Sequence, residues 1–144
     1  MLIACNSNQP LSLEEQIVGS WRDTATHSII ALVPDSLQWN HLAKDTFAMK
    51  NATYIFNADG TYHHTVENGL PEGFLENGTW LIDEVNKTLT FNPLNAKLGP
   101  FVLDSTTLPT ETILIDSIDA TTLKVAIPTE NTNGLDIYRT YKRF

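Results

Sequence analysis

The same short pattern occurs three times along this chain of 144 residues. It spans residues 54–65, 78–91 and 113–125. Each copy is an apolar stretch, a tight polar turn and a second stretch rich in Thr and aromatic residues. Such stretches predict β-hairpins, and consecutive hairpins form a β-meander. A meander leaves unpaired edges unless it closes on itself. We therefore predict an all-β fold, an up-and-down barrel of about eight antiparallel strands.

A short helix is predicted before the barrel. Ser12 and Glu15 form a capping-box pattern, so the helix is expected to begin at Leu13 and to end near Val18, before Gly19. Further along, Asn92-Pro93 is expected to end a strand because proline cannot donate a ladder hydrogen bond. A further strand from about Phe101 to Asp104 stays open, and the stretch from Asp104 to Thr112 is expected to be a loop or an edge strand within a 92–112 loop.

Every second residue of a strand points to the same face, so alternation assigns the barrel interior. The predicted interior is aromatic and bulky, and a filled core and a ligand cavity both remain open. The candidates for core or pocket are Trp21, Trp39, Tyr54, Phe56, Tyr62, His64, Trp80 and Phe91.

Trp39 belongs to a segment, Pro34 to Met49, that interrupts the strand pattern. This segment is too long for a hairpin turn, and long loops in small domains are often lids or binding loops. Its apolar residues have near-helical spacing. We expect it to cover one end of the barrel, as a lid or as a docking site for a protein.

Composition excludes several classes of function. The net charge is −8, so binding to nucleic acid, which needs clustered cations, is not expected. Cys5 is the one cysteine, so neither an intrachain disulfide nor a thiolate metal cage can form. His63 and His64 are neighbours that point to opposite faces of a strand, so no metal site or cofactor is predicted. No nucleophile motif or phosphate-binding loop is present, and we predict that the protein is not an enzyme.

The N-terminus resembles a bacterial lipobox, the site at which lipoproteins are cleaved and acylated. Leu2, Ala4 and Cys5 match its positions, and a polar stretch follows, although only four residues precede the cysteine. The resemblance implies lipidation of Cys5 and a location at the bacterial cell envelope, on the periplasmic or outer-membrane side. Residues 1–10 would then be a signal-peptide remnant and tether, and residues 11–144 the barrel domain. The alternative is an accidental match with an idle thiol.

The domain resembles the lipocalin-like domains of small Bacteroidetes-type lipoproteins. The matching elements are the helix leading into Gly19-Ser20-Trp21, the hairpin at residues 56–62, Gly78-Thr79-Trp80, residues 122–125 and the closing residues 141–143. The resemblance implies a barrel that binds a small apolar molecule. It also implies a basic side chain over the Trp21 ring, either Arg139 or Arg143.

The sequence thus predicts a lipid-anchored envelope protein that binds a small apolar ligand. The first alternative is a protein-interaction module with a filled barrel. The second is an enzyme acting at the barrel mouth through Tyr or His side chains. An internal cavity would favour ligand binding over the filled module, and converging titratable groups inside it would favour the enzyme.

Overall fold

The fold is seen in a computed structural model. It describes residues 9–23, 27–28, 48–67, 73–104, 106, 108–127 and 137–144. Cys5 and Trp39 lie outside the described residues, as do residues 34–47 of the expected lid. Their predicted roles stay predictions.

One short helix and ten strands make up this part of the chain. The elements are α1 (Leu13–Ile17), β1 (Gly19–Asp23), β2 (His27–Ser28), β3 (Ala48–Phe56), β4 (Thr61–Glu67), β5 (Phe74–Asp83), β6 (Thr88–Leu98), β7 (Phe101–Asp104), β8 (Glu111–Ile118), β9 (Thr122–Ile127) and β10 (Ile137–Arg143). In the described ranges, no helix has the length and apolar character that crossing a membrane requires.

The strands close into an antiparallel barrel. The ring runs β1-β10-β9-β8-β6-β5-β4-β3 and returns to β1, which makes eight strands, and β2 and β7 pair outside it. The ring closes through β1, because Trp21 is paired with Arg143 of β10 and with Tyr54 of β3. The predicted all-β barrel of about eight strands with a short N-terminal helix is therefore confirmed.

The expectation that Asn92-Pro93 ends a strand is wrong. β6 continues to Leu98. β7 lies at Phe101–Asp104, where the sequence left a further strand open, and it pairs back onto β6, so much of the 92–112 segment is β-ribbon. Pro93 is accommodated because the β5–β6 register shifts between Asn77 and Gly78, and Gly78 pairs with Pro93. A Cβ atom at Gly78 would collide with the Asn92 carbonyl oxygen, so only glycine allows this close approach. A bulge of this kind tolerates a proline that a regular central strand would not.

The helix covers one end of the barrel, called here the helix end. Its capping box is formed, since the Ser12 hydroxyl accepts from the Glu15 amide and the Glu15 carboxylate accepts from the Ser12 amide. The Glu84 carboxylate, from the β5–β6 turn, accepts hydrogen bonds from the amides of Leu13 and Glu14. Tertiary contacts thus hold a helix of only five residues, which would not form alone.

The core fills the helix end of the barrel. Trp21 is fully buried, and its indole N–H donates to the Ile17 carbonyl oxygen at 2.8 Å. The indole N–H of Trp80 donates to the carbonyl of Thr61 at 3.0 Å, so both buried indoles are satisfied. The fully or nearly fully buried core side chains are Ile17, Trp21, Phe56, Tyr62, Trp80, Leu89, Phe91, Ile113, Ile115, Leu123, Val125 and Tyr141.

Candidate functional site

The half of the barrel away from the helix contains a cavity of about 320 Å³. Its walls are Ala52, Tyr54, His64, Val66, Phe74, Glu76, Phe91, Glu111, Ile113, Val125, Ile127, Arg139 and Tyr141. The barrel is therefore filled at one end and hollow at the other.

Stacked aromatic rings form one wall of the cavity. Tyr54 and His64 are directly paired on β3 and β4, and their rings stack with centroids 3.8 Å apart. Tyr54 also stacks on Phe91 at 5.2 Å and meets Tyr141 edge-on at 5.6 Å. The His64 ring meets Phe74 edge-on at 5.7 Å. This wall offers flat apolar surface to a ligand.

The ring of His64 is neutral in the folded protein. Burial disfavours the imidazolium and lowers the pKa of His64 to about 3, and the neighbouring His63 adds a smaller repulsion. His63 lies on the outer face and is hydrogen-bonded to Asn77. The two histidines therefore do not converge, as the alternation predicts.

Glu76 is a carboxyl group on the cavity wall. The Tyr62 hydroxyl donates a hydrogen bond to it at 2.6 Å. Burial raises the pKa of Glu76, and the bond from Tyr62 partly opposes that rise. The pKa of Tyr62 is raised as well, first by burial and then by the hydrogen bond to Glu76. Tyr62 is thus a donor that holds this carboxyl group in place.

Glu111 is the second carboxyl group on the wall. Solvent reaches it, and it also lines the cavity, where the surrounding protein partly desolvates it. This desolvation raises the pKa of Glu111, repulsion from Glu76 raises it further, and attraction from Arg139 opposes both. The carboxyl groups of Glu76 and Glu111 therefore resist being ionised together.

Arg139 is a buried cation in the wall, with 9% of its surface exposed. It extends inward from β10 in phase with Tyr141. Burial raises the pKa of the Tyr141 hydroxyl, and Arg139 opposes that rise. Burial also raises the pKa of Tyr54, with contributions from Tyr141, Glu111 and Glu76. The cavity thus contains two carboxyl groups and one cation, and Arg139 is close enough to Glu111 to attract it.

The described residues contain no group of three or more His, Cys, Asp or Glu side chains placed to hold a metal ion. Glu76 and Glu111 are two oxygen donors without a third. The observed residues thus offer polar contacts for an organic ligand and not a metal cage.

The sequence candidates divide between the cavity and the core. Tyr54, His64 and Phe91 line the cavity. Four others lie in the core at or near the helix end and not on the cavity wall: Trp21, Phe56, Tyr62 and Trp80.

The charged residues of the site are absent from the sequence candidates. Each of them is an even number of residues from inward-facing neighbours on its strand. These neighbours are Phe74 and Trp80 for Glu76, Ile113 for Glu111, and Tyr141 for Arg139. A charged residue at an inward position of an alternating strand was the signal for each.

Comparison with known proteins gives a family and a fold. A family model described as "Domain of unknown function (DUF5004)" matches residues 3–100. A solved structure titled "NMR structure of the protein from Bacteroides uniformis ATCC 8492" matches with a TM-score of 0.52 and 18% identity. The match covers 92% of this chain and 93% of that one. No curated protein matches. These matches carry no lipocalin or lipoprotein name, so that resemblance rests on the residues described above.

Proposed function

The chain belongs to the DUF5004 family of domains of unknown function, and we propose that its barrel binds a small, largely apolar ligand. The cavity itself carries this proposal. Its volume of about 320 Å³ lies within the range of ligand pockets, and its walls combine aromatic and aliphatic side chains with a few polar groups. The existence of a cavity also favours ligand binding over a module with a filled barrel.

The volume sets the size of the ligand. An apolar cavity of about 150 Å³ in a protein interior holds a single benzene ring. The cavity here is about 320 Å³, so it suits a molecule of two fused rings or a branched chain of similar bulk. The flat rings of Tyr54 and Phe91 favour an aromatic ligand over an aliphatic one of equal size.

A neutral probe tests this function. We expect naphthylethanol to bind with a measurable heat in isothermal titration calorimetry. Ile113→Trp, which places an indole in the cavity, should abolish that heat. Leu114→Trp is the matched control, because Leu114 is the next residue of β8 and points outward, 43% exposed. Equal binding to both variants, or no binding of any two-ring probe to the natural protein, would reject the proposal.

A lipid anchor at Cys5 is the second part of the proposal. Its support is the lipobox-like set Leu2, Ala4 and Cys5 and the polar stretch that follows. An acylated terminus would hold the barrel at the envelope while leaving the cavity free to exchange ligand.

Acid–base catalysis is the second candidate function. Glu76 and Glu111 line one cavity, and burial raises the pKa of both carboxyl groups, which is the direction of shift that a general acid needs. Naphthyl esters and naphthyl glycosides test it. Release of naphthol that Glu76→Gln or Glu111→Gln abolishes would establish an enzyme. Binding of these compounds without turnover would leave the protein a carrier or sensor.

A further inference from the structure

Arg139 is the one permanent cation among the described residues that line the cavity. Its side chain is nine-tenths buried, and it makes no hydrogen bond with the part of the chain that the structure describes. No described side-chain nitrogen or oxygen is both sealed from solvent and without a hydrogen-bond partner. Because Arg139 also lines the cavity, its guanidinium group is placed to meet a ligand there.

This arrangement has a consequence for any ligand. A guanidinium group carries five N–H donors, and an apolar molecule that expels the cavity water offers no acceptor to any donor that faces the cavity. When the donors of a charged group are buried without acceptors, the complex loses more free energy than most single contacts contribute. A ligand avoids that cost if it brings its own acceptor. A carboxylate fits best, because its two oxygens match two parallel N–H groups of the fork.

We propose that the ligand is an amphipathic organic acid, with an aromatic or otherwise apolar body against the Tyr54 and Phe91 rings and a carboxylate on Arg139. This inference rests on the proposed function, since it names the ligand class of the same cavity.

The acidic side chains of the cavity do not point to a cationic ligand. Glu76 already accepts a hydrogen bond from the Tyr62 hydroxyl, and Glu111 is open to solvent. Both acids thus have partners without a ligand. An ammonium group would provide no acceptor for the N–H groups of Arg139. It would also place a second positive charge near this cation.

Glu111 makes acid binding depend on pH. A ligand carboxylate on Arg139 lies near this side chain, so the complex is most stable when Glu111 holds a proton. The groups that interact with Glu111 are Arg139 and Tyr141 from β10, Glu76 from β5, Tyr54 from β3 and Tyr62 from β4. Burial and Glu76 raise the pKa of Glu111, which favours uptake of that proton. Binding should strengthen as pH falls, until the ligand itself is protonated.

Three probes of one shape test the inference: naphthylacetate, naphthylethanol and naphthylethylamine. In the natural protein at neutral pH, we expect naphthylacetate to bind about ten- to a hundredfold more tightly than naphthylethanol, the usual range for a charged hydrogen bond. We expect naphthylethylamine to bind most weakly. This ranking needs no variant, so a folding defect cannot obscure it. Equal affinity for the acid and the alcohol, or tightest binding of the amine, would overturn the inference while leaving the proposed function intact.

Variants assign the effect to residues. Arg139→Gln should lower the affinity for naphthylacetate to that of naphthylethanol and leave the alcohol's affinity within about threefold. Glu111→Gln should raise the affinity for the acid alone at neutral pH and reduce the gain in affinity as pH falls. Lys142→Gln is the control, because Lys142 is an exposed cation of the same strand. A loss of acid binding in Lys142→Gln equal to that in Arg139→Gln would show attraction by overall charge and reject Arg139 as the site. Failure of all three probes to bind would instead reject the proposed function.

Discussion

The guanidinium carbon of Arg143 lies 4.2 Å from the centroid of the Trp21 ring, over its face. The same group donates hydrogen bonds to the carbonyl oxygens of Gln16 at 2.7 Å and Val18 at 2.9 Å. It also donates to Ala120 at 2.9 Å. One C-terminal side chain therefore ties the end of α1 and the β8–β9 turn to the core. Of the two arginines that the lipocalin-like resemblance offered for this position, Arg143 occupies it, and Arg139 faces the cavity.

Replacing Arg143 with methionine should destabilise the barrel by about 1–3 kcal/mol. The loss combines a cation–π contact with charged hydrogen bonds to backbone carbonyls. Urea unfolding followed by far-UV circular dichroism measures it. Lys142→Met is the matched control, since among the described residues the exposed Lys142 ammonium donates one hydrogen bond, to the Thr122 hydroxyl at 2.9 Å. We expect a change below about 0.5 kcal/mol there. Equal losses in both variants would contradict the structural role of Arg143.

Replacing Trp21 with alanine should cost about 3–5 kcal/mol, because a fully buried indole is lost and a cavity remains. Leu81→Ala, at a side chain 67% exposed, should change the free energy of unfolding by less than about 0.5 kcal/mol. Iodide quenching gives a second readout. In a Trp39→Phe background, the fluorescence of Trp21 and Trp80 should resist quenching, and ready quenching would contradict their burial.

His64 should make the folded state less stable in mild acid. Its pKa is about 3 in the folded protein, against about 6.5 in an unfolded chain. The unfolded state thus takes up a proton as pH falls below about 6.5 while the folded state does not. The free energy of unfolding should then fall by up to about 1.4 kcal/mol per pH unit. Urea unfolding from neutral to mildly acid pH measures this slope.

His64→Phe isolates that slope, because it keeps a ring against Tyr54 and removes the titrating group. Glu76 and Glu111 act in the opposite sense. Their raised pKa values stabilise the folded state at low pH, and this contribution is lost as pH rises through them. Both proteins retain Glu76 and Glu111, so subtracting the slope of His64→Phe from that of the natural protein removes most of the carboxyl contribution to the pH dependence of unfolding. His63→Gln should retain most of the slope, since burial is the main cause of the shift at His64. A His64→Phe variant with an unchanged slope would refute the assignment.

Removing the Tyr62 hydroxyl should raise the pKa of Glu76 further. The bond from Tyr62 favours the carboxylate, so Tyr62→Phe leaves burial unopposed. In an NMR titration that follows the side-chain carboxyl resonances, the midpoint for Glu76 should move to higher pH. Tyr138→Phe is the control, because Tyr138 is 54% exposed and on the outer face of β10. A fall in the pKa of Glu76 in Tyr62→Phe would mean that the hydroxyl does not donate to it.

Substitution of Cys5 should release the protein from membranes if the lipid anchor is correct. We expect the product of the full gene to sediment with membranes in its bacterial host and to incorporate labelled palmitate. Cys5→Ser should move it to the soluble fraction without label, because the acyl chains supply the attachment. Ser7→Ala, two residues further along, is the control and should change neither the membrane fraction nor the incorporation of label. A soluble, unlabelled natural protein would dismiss the anchor.

Hairpin chemistry made the barrel predictable from sequence. Asp59-Gly60 and Asp119 stand where tight turns need carboxylate acceptors or a positive φ, and both turns form as expected. The strand through Pro93 was not predictable in this way. Its continuation depends on the absence of a side chain at Gly78 on a neighbouring strand, which is a relation between distant residues.

The site was only partly predictable. Alternation placed Tyr54, His64 and Phe91 on the inner face, and each of them lines the cavity. It could not separate the filled end of the barrel from the hollow one, so Trp21 and Trp80 were candidates as well. That separation depends on where the helix packs and how far each strand extends past its neighbours.

The sequence by itself determined the closed antiparallel barrel, the capped helix and the inward face of most strands, because period-two alternation and turn residues are local properties. The tertiary structure alone decided which of two arginines covers Trp21 and which faces the cavity. Arg139 and Arg143 lie on the same face of one strand, four residues apart. At one of these positions the barrel is packed beneath α1, and at the other it is hollow. Only the assembled strands set that difference, and it makes one arginine a structural contact and the other a candidate ligand contact.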